Sequence, residues 1–345
     1  MFDILKKVKK KKLKKVTVLY NEVTNLQTSD KKALLAEEGG EEDAKIISGA
    51  LKDFGYKSDI YELTPRSIKV LDHRSTDLFF NLCDGVGNLP KTEHKVPQFL
   101  DKKKLWYTGS NASALLLTTN KVLTKQVFIQ NNIPTPDYAV LQRIPDKTPE
   151  GLRYPLIVKP VAEDCSLGIS QKSVVYDLSD LRRELERILE NYHEPALVEK
   201  FVTGREFNVT VLGNGRRAIV LPISEIIFGR WFKEEDAEKI VDFRAKWIES
   251  SKNYRETSGI SPAKIDGYLQ NKIERLALRA YWSCGGRDYA RVDIRLSREG
   301  VPYFLEVNLN PDLSPGMGAS RSAKTAGLDY PQFIGEIATV AARRY

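Results

Sequence analysis

The stretch RVDIRLSREGVPYFLEVNLN, residues 291–310, predicts a β-hairpin with two acidic side chains on one face. Apolar residues that alternate along its two halves form the other face: Val292, Ile294, Leu296, Tyr303, Leu305 and Val307. If Glu299-Gly300 is a two-residue turn, Asp293 lies directly opposite Glu306. Like charges at the roughly 5 Å expected between paired Cβ atoms repel by roughly 3 kcal/mol at an effective dielectric of about 20. The pattern therefore predicts positive charge close to this pair.

Two sources of that positive charge are compatible with the pattern. A divalent cation bound by Asp293, Glu306 and the side-chain oxygen of Asn308 would turn the repulsion into coordination, and Mg²⁺ prefers such oxygen ligands. Alternatively, Arg291 and Arg295 on the same face neutralise the acids as a surface ion network. The alternation alone favours neither explanation.

Composition limits the class of protein. The 345 residues are 41% apolar and 29% charged, which is typical of a soluble globular chain with two or three domains. The net charge of +8 is concentrated in residues 1–15, whose eight Lys and one Asp carry +7 and leave +1 for the rest. We expect a solvated basic tail, with contact to an anionic surface as the alternative, and no specific nucleic acid partner.

Other features exclude further classes. No apolar run is long enough for a membrane span, and no secretory signal precedes the first strand. The cysteines are odd in number and widely separated, which favours a reducing, cytoplasmic setting: Cys83, Cys165 and Cys284. Only three histidines are present, so a zinc hydrolase is a poor interpretation.

Strands alternate with helices over the first 110 residues, which predicts a small parallel α/β unit. Its predicted strands are VTVLY (16–20), KSDIYEL (57–63), DLFFNLCDG (77–85) and LWYTGS (105–110). A helix is predicted over 118–131, a hairpin turn at Asn214-Gly215, and a long surface loop over 229–262.

Two lysines are candidates for binding phosphate. Lys159 emerges from the apolar strand PLIV, and Lys121 lies near the start of the 118–131 helix. The turn AEDCSLG, residues 162–168, offers backbone N–H groups and Ser166 to phosphate oxygens. It does not match GxxxxGK[ST], so a P-loop is excluded. For Lys159 alone, a solvated lysine beside a turn is an equally good explanation.

Taken in order, five segments resemble the ATP-grasp ligases, and within them the D-alanine-D-alanine ligase group. The segments are TNKVLTK (119–125), YPLIVKPVAEDCSLGIS (154–170), LVEKFVTGREFNVTVLG (197–213), DFRAKW (242–247) and YARVDIRLSREGVPYFLEVNLNP (289–311). The resemblance covers about residues 41–340 and implies an α/β fold of the ATP-grasp type. After the basic tail of residues 1–15, we expect an N-terminal parallel α/β domain over 16–117, a central lid domain over 118–202 and a C-terminal catalytic domain over 203–345.

The resemblance also implies a role for particular residues. Those implied for the ATP phosphates and the lid are Lys121, Lys159, Cys165, Ser166 and Lys246. Those implied for adenine and ribose are Glu199, Lys200, Val202 and Glu206. The implied ligands of two Mg²⁺ ions, with Mn²⁺ as an alternative, are Asp293, Glu306 and Asn308. The residues implied in catalysis are Arg291 for the oxyanion, Lys246 for phosphate and Glu41 for the ammonium of the first amino acid.

The function implied is an ATP-dependent carboxylate-amine ligase that joins amino acids or short peptides through an acyl phosphate, with a homodimer left open. Two alternatives are an ATP-grasp small-molecule kinase and a non-enzymatic ATP-binding protein tethered by its basic tail. The chain departs from the D-alanine enzymes on the substrate side: Asp84 replaces a histidine, Trp247 a tyrosine, Cys165 a serine, Asp312 the oxyanion glycine and Met317 a serine that holds a carboxylate. The acid at Asp312 should repel a free carboxylate or attract an amine, which predicts an acceptor other than D-alanine. For Trp247 and Met317 taken singly, packing is the better explanation.

Overall fold

The structure, a computed structural model, describes residues 13–21, 40–87 and 91–345. Most of the predicted basic tail and of the loop predicted over 21–40 lies outside these residues. Leu13, at the end of the predicted tail, is buried in the first hydrophobic core. The described residues form three sheets, and no helix among them has the length and apolar character that a membrane span requires.

The first sheet is parallel and confirms the predicted small α/β unit. Its elements are β1 (Lys15–Tyr20), α1 (Gly40–Asp53), β2 (Lys57–Glu62), β3 (Leu78–Asn81) and α2 (Lys95–Lys102). The strand order is β2-β1-β3, and α1 buries Ala44, Ile47 and Leu51 at helical spacing. The strand predicted over 105–110 is wrong, because only Tyr107 forms a bridge, to Phe79.

Two helices precede the second sheet in the chain, α3 (Ala112–Thr118) and α4 (Lys121–Gln130), and they pack against the third sheet through Leu115 and Phe128. The elements of the second sheet are β4 (Tyr138–Leu141), β5 (Leu156–Pro160), β6 (Val174–Val175), α5 (Leu178–Tyr192) and β7 (Ala196–Lys200). This sheet is antiparallel, with the strand order β4-β7-β5-β6. The prediction of a single helix over 118–131 is wrong at its N-terminal end. Asn120 interrupts it and caps α4, since its side-chain oxygen accepts the N–H groups of Val122 and Leu123.

The third sheet has the order β11-β10-β8-β12-β13, with β9 paired to β8. Its elements are β8 (Gly204–Leu212), β9 (Ile219–Val220), β10 (Ser224–Phe228), α6 (Trp231–Glu234), α7 (Phe243–Trp247), α8 (Lys252–Arg255), β11 (Thr257–Ile260), α9 (Gly267–Ser283), β12 (Tyr289–Ser297), β13 (Pro302–Asn308), α10 (Gly318–Thr325) and α11 (Tyr330–Ala342). The predicted long loop over 229–262 is therefore wrong. The hairpin predicted at Asn214-Gly215 is confirmed by the antiparallel pairing of β8 with β9, although a 3-10 turn over Gly215–Arg217 makes the connection longer than two residues.

The hairpin of β12 and β13 pairs Asp293 with Glu306, as predicted. Its turn is longer than predicted, because the pairing of Ser297 with Val301 leaves three residues between the strands. A β-bulge next to Asp293 restores the register, so that Leu305 has no partner on β12. The bulge also changes which side chains face the core. Phe304 is buried there, whereas Tyr303 and Leu305, which we predicted on the apolar face, are only partly buried.

One buried carboxylate joins distant parts of the chain. Asp288, which has no exposed surface, accepts hydrogen bonds from Gly109 N at 2.8 Å and Asn214 Nδ2 at 2.7 Å. Arg344 adds two more, from Nε at 2.9 Å and Nη2 at 2.8 Å. Asp288 thus links the end of the first unit, the β8–β9 connection and the residues after α11.

Candidate functional site

The acid pair, Asp293 and Glu306, lies partly buried on the side of the third sheet that faces away from its hydrophobic core, beside Arg291 and Asn308, which also pair in register. Arg291 binds Asp293 through two parallel hydrogen bonds, from Nε to Oδ1 at 2.8 Å and from Nη2 to Oδ2 at 2.9 Å. Asn208 on β8 donates a third bond to Asp293 Oδ1 at 2.8 Å. One member of the acid pair is therefore firmly held by the protein itself.

The two acids differ in their electrostatics. Burial disfavours the Asp293 carboxylate, but the charge and hydrogen bonds of Arg291 outweigh burial and keep its pKa below the usual value. Burial and the facing charge of Asp293 raise the pKa of Glu306 to about 7. Arg295 does not neutralise the pair, because its Nη1 donates to Glu206 Oε2 at 2.8 Å. The arginine network predicted as an alternative therefore accounts for Asp293 alone.

The residues around Glu306 fit a divalent cation. Two facing carboxylates and an amide oxygen are a hard oxygen set, and a bound cation would lower the cost of ionising both acids. The Asn308 side-chain oxygen accepts the backbone N–H of Asn310 at 2.9 Å, which fixes its position. In the described part of the chain no cluster of three or more His, Cys, Asp or Glu side chains offers another metal site. The metal ligands stay a prediction that the geometry supports.

Lys121 and Lys159 approach the site from the second sheet and the helix beside it. Lys121, at the start of α4, is buried and binds the backbone carbonyl of Glu163, within 3.7 Å of Asp164. Its positive charge acts on Glu306, where it opposes the rise in pKa. Lys159 on β5 forms an ion pair with Glu199 on the neighbouring strand β7.

Lys125 is a site residue that the sequence interpretation missed. Its Nζ lies 2.6 Å from Glu199 Oε2 and donates to Thr135 Oγ1 at 2.8 Å, with the side chain almost fully buried. Burial opposes ionisation of Glu199, yet the two lysines lower its pKa to about 2. Lys121 and Lys125 are one helical turn apart in α4, and this spacing could have indicated that both side chains lie on the same helix face.

The other residues predicted for adenine and ribose lie between the second and third sheets. The backbone carbonyl of Val202 accepts Arg295 Nε at 2.7 Å, and Glu206 binds the same guanidinium. Arg295 therefore fixes the segment in which both residues lie. Burial raises the pKa of Glu206. Lys200 is exposed at the end of β7.

The lid turn, residues 162–168, contacts the segment 237–247. Cys165 and Ser166 have left-handed backbones, with φ of +56° and +60°. Ser166 Oγ donates to Val241 O at 2.8 Å, and Trp247 Nε1 donates to Cys165 O at 3.0 Å. Lys246 Nζ lies 5.0 Å from the Trp247 ring centroid. The structure thus brings together the predicted lid and loop residues.

On the substrate side, Glu41 and Asp43 lie two residues apart at the start of α1 but have different partners. Glu41 forms an exposed ion pair with Lys45 at 2.7 Å, and we find no contact that brings it to Arg291 among the described residues. Asp43, two residues along α1, instead accepts Ser314 Oγ at 2.9 Å, and Asp312 Oδ1 accepts the backbone N–H of Ser314 at 2.8 Å. Burial raises the pKa of Asp43. The sequence interpretation missed Asp43 because α1 begins with three consecutive acids.

A cleft adjoins the acid pair and extends toward the first unit. Its polar lining consists of Glu93, Thr118, Thr119, Asp164, Glu306, Asn308 and Asn310. Burial and the charge of Asp84 raise the pKa of Glu93 well above its usual value. The cleft therefore joins the candidate cation site to a second, acidic region.

Solved structures with the same architecture identify the fold as ATP-grasp. The D-alanine-D-alanine ligase of Bacillus anthracis complexed with ATP has a TM-score of 0.73 at 21% identity, covering 96% of this chain and 98% of that one. The same enzyme in a second structure has a TM-score of 0.75 at 22% identity, with the same coverage. At this identity the likeness shows the fold, and it confirms the predicted α/β class.

Sequence comparison then gives the family. The family model described as D-ala D-ala ligase C-terminus matches residues 127–339. An uncharacterized protein of Sinorhizobium fredii is 34% identical over 310 residues, which cover 88% of this chain and 88% of that protein. The D-alanine-D-alanine ligase of Bordetella avium is 26% identical over 303 residues, covering 85% of this chain and 88% of that enzyme. The chain belongs to the D-alanine-D-alanine ligase family, which confirms the resemblance seen in its motifs.

Proposed function

We propose that this chain is an ATP-dependent carboxylate-amine ligase, which forms an amide bond between amino acids or short peptides through an acyl phosphate. The observation that carries the proposal is the acid pair, in which Glu306 faces Asp293 beside the fixed oxygen of Asn308. A protein that only bound ATP would have no need of this arrangement. The family fold supports the same conclusion.

ATP would lie between the second and third sheets. In this proposal Lys121, Lys159 and Lys246 contact its phosphates, while the backbone of the lid turn at Cys165 and Ser166 covers them. Glu199, Lys200 and Val202 bind adenine, and Glu206 binds ribose. The common contact of Val202 and Glu206 with Arg295 supports this assignment, because it holds a backbone acceptor and a carboxylate in one place. We retain the predicted domain limits of 16–117, 118–202 and 203–345 as part of the proposal.

Asp293, Glu306 and Asn308 would hold Mg²⁺, which supplies positive charge to phosphate oxygens when it is bound. The chain's own cations then act on the remaining charge. Lys121 and Lys159 neutralise phosphate oxygens from the side of the lid. Asp293 orients Arg291 through two hydrogen bonds, and in this proposal the Arg291 guanidinium stabilises the oxyanion that develops at the reacting centre.

The chemistry has two steps. The donor carboxylate attacks the γ-phosphorus of ATP and releases ADP, which leaves an acyl phosphate. The acceptor amine then attacks the acyl carbon, phosphate leaves, and the amine loses a proton. No covalent intermediate with the enzyme is needed, and Arg291 stabilises the oxyanion of the second step.

The acidic side chains near Ser314 bear on the acceptor. Asp43 and Asp312 both bind Ser314, so two carboxylates lie where the acceptor would enter. Negative charge there attracts an amine and repels a carboxylate placed next to it. The acceptor is therefore an amine that differs from D-alanine in this proposal.

A panel of amino acids and dipeptides, assayed for ADP and phosphate release and for product mass, tests the function. A product mass equal to two substrates minus water supports ligation, whereas a phosphorylated product would establish the kinase instead. Deleting residues 1–12, which keeps the buried Leu13 and the whole of β1, should leave turnover unchanged if the basic tail has no catalytic part. Glu306→Ala should abolish turnover, and Glu299→Ala in the turn of the same hairpin serves as the matched control.

A further inference from the structure

The side chain of Arg321 on α10 has a position and a hydrogen-bonding pattern that the ligase proposal does not use. We propose that Arg321 forms a subsite for a carboxylate group of the acceptor, several bonds away from its reacting amine. This inference rests on the proposed ligase function and adds to it the class of acceptor.

Arg321 lies on the same face of the third sheet as the acid pair. Asn208 pairs with Asp293 on one side and with Ser224 on the other, so the three side chains point the same way. Gly318, at the start of α10, lies against Asn208, since a Cβ there would be 3.1 Å from Asn208 Oδ1. Arg321 is three residues further along the same helix face, over Ser224.

The guanidinium has free donors. Its Nε donates to Ser224 Oγ at 2.9 Å, and among the described residues no acceptor binds Nη1 or Nη2. A Cβ on Gly259 would lie 2.0 Å from Nη1 and 2.2 Å from Nη2, so the group lies flat against β11, where only glycine leaves room. The free edge of such a fork matches a carboxylate with two parallel hydrogen bonds.

The lack of an acidic partner distinguishes Arg321 on α10 from three arginines on the strands of the third sheet. Arg205 binds Glu225 at 2.7 Å, Arg291 binds Asp293 at 2.8 Å and Arg295 binds Glu206 at 2.8 Å. Burial lowers the pKa of Arg321, and no neighbouring carboxylate opposes this effect. A partly desolvated cation without a counter-ion within the described part of the chain is suited to an anionic ligand.

The position of Arg321 excludes the phosphates of ATP as that ligand. Of the three lysines proposed for phosphate, Lys121 acts at β13, Lys159 lies on β5, and Lys246 lies beside Trp247, which bonds to the lid turn. Ser224 and Gly259 lie on β10 and β11, at the opposite edge of the third sheet from β13. Ser224 is two strand spacings from Asp293, which is roughly 10 Å. That distance is too great for the amine and carboxylate of one α-amino acid, which share a single carbon, but it suits a dipeptide or an ω-amino acid.

The test compares acceptors that differ only in their terminal charge. Glycylglycine and 6-aminohexanoate are assayed against glycylglycinamide and 6-aminohexanamide, with ATP, Mg²⁺ and the best donor of the panel. We expect the parent to favour the acids in kcat/KM by about 10- to 100-fold, the effect of a charged hydrogen-bonded pair. Arg321→Gln should remove that preference without changing the KM for ATP, and Arg321→Lys should keep part of it.

Two further variants separate charge from folding. Gly259→Ala displaces the guanidinium without removing it and should weaken the use of the acids but not of the amides. Arg279→Gln on α9, an arginine that binds the Asn131 carbonyl at 3.3 Å on the other face of the sheet, is the matched control. Equal use of acids and amides by the parent would overturn the proposal, as would an equal loss of both in Arg321→Gln.

A binding measurement keeps this inference separate from the ligase proposal. Saturation-transfer NMR of 6-aminohexanoate and 6-aminohexanamide with the parent protein, ADP and Mg²⁺ needs no turnover. Loss of 6-aminohexanoate binding in Arg321→Gln supports the subsite. Equal binding of 6-aminohexanoate to the parent and to Arg321→Gln rejects it. Failure of every donor to release ADP would reject the ligase function, while the NMR result would still decide the role of Arg321.

Discussion

The indole Nε1 of Trp247 donates a hydrogen bond to the backbone carbonyl oxygen of Cys165, 3.0 Å away. This bond joins the segment 237–247 to the lid turn across the proposed nucleotide site. It uses the backbone of Cys165, so the thiol has no part in it. The indole N–H and the Ser166 hydroxyl, which donates to Val241 O, therefore both hold the lid turn against the segment 237–247.

Removing this donor should weaken ATP binding. Trp247→Phe keeps an aromatic ring but loses the hydrogen bond, and we expect the KM for ATP to rise about two- to tenfold, the usual effect of one hydrogen bond. Steady-state kinetics at saturating amino acids measure this change. Trp282→Phe, on an exposed part of α9, is the control, and an unchanged KM in Trp247→Phe would show that the lid closes without this bond.

Glu306→Gln should have opposite effects on activity and on stability. Without a cation, the substitution removes repulsion from Asp293, so we expect the free energy of unfolding to rise by roughly 1 to 3 kcal/mol in EDTA at pH 8. With ATP and Mg²⁺, turnover should be lost and Mg²⁺ should no longer stabilise the fold. Urea unfolding with and without Mg²⁺ tests both effects on stability, and Glu299→Gln is the control variant. A less stable variant in EDTA contradicts the repulsion argument.

Lys125→Met should change the acid stability of the fold. The pKa of Glu199 is about 2 in the folded chain, below its ordinary value of 4.5, so its ionisation stabilises the fold above about pH 4.5 by roughly 3 kcal/mol. That stabilisation is lost as the pH falls toward 2. Without Lys125 the pKa of Glu199 rises, so the variant is less stable at pH 7 and loses less stability on acidification.

Urea unfolding of Lys125→Met between pH 7 and pH 3 measures this difference, with the exposed Lys147→Met as the control. We expect a loss of about 3 kcal/mol at pH 7, as for the breaking of a buried ion pair. Parallel stability curves for parent and variant across the acid range would mean that Lys159 alone keeps Glu199 ionised.

Asp288→Ala should destabilise the whole chain. It leaves the guanidinium of Arg344 and the N–H of Gly109 without their buried acceptor, so we expect a loss of about 3 kcal/mol or more. Chemical denaturation measures the loss, and the exposed Asp53→Ala is the control. A loss below about 1 kcal/mol would show that Arg344 finds another acceptor.

The sequence predicted the β12–β13 hairpin because alternation over many residues has one interpretation. It predicted the pairing of Asp293 with Glu306, yet it missed both the three-residue turn and the bulge at Leu305. The longer turn and the bulge each change the pairing register of the two strands by one residue, and the two changes cancel. A periodic pattern reveals which residues face each other at its ends, but local backbone irregularities between them leave little trace in the sequence.

Other parts of the site lacked a periodic signal. The helices of four or five residues between β10 and β11 are too short to show one, although Asp242 and Ser251 cap two of them. The left-handed backbones of Cys165 and Ser166 occur at residues that rarely adopt them. Asp43, Lys125 and Arg321 owe their roles to partners distant in the chain, which composition and spacing do not reveal.

The three-residue turn and the bulge of the β12–β13 hairpin also determine where this part of the gene can vary in length. Loss of the codon for Leu305, or of one codon between those for Ser297 and Val301, would leave Asp293 opposite Glu306, because neither residue is paired across the hairpin. Loss of a codon from the paired residues between Asp293 and Ser297 would instead move Glu306 away from Asp293. Relatives that keep the acid pair should therefore differ in length at the turn or at the bulge and not between them.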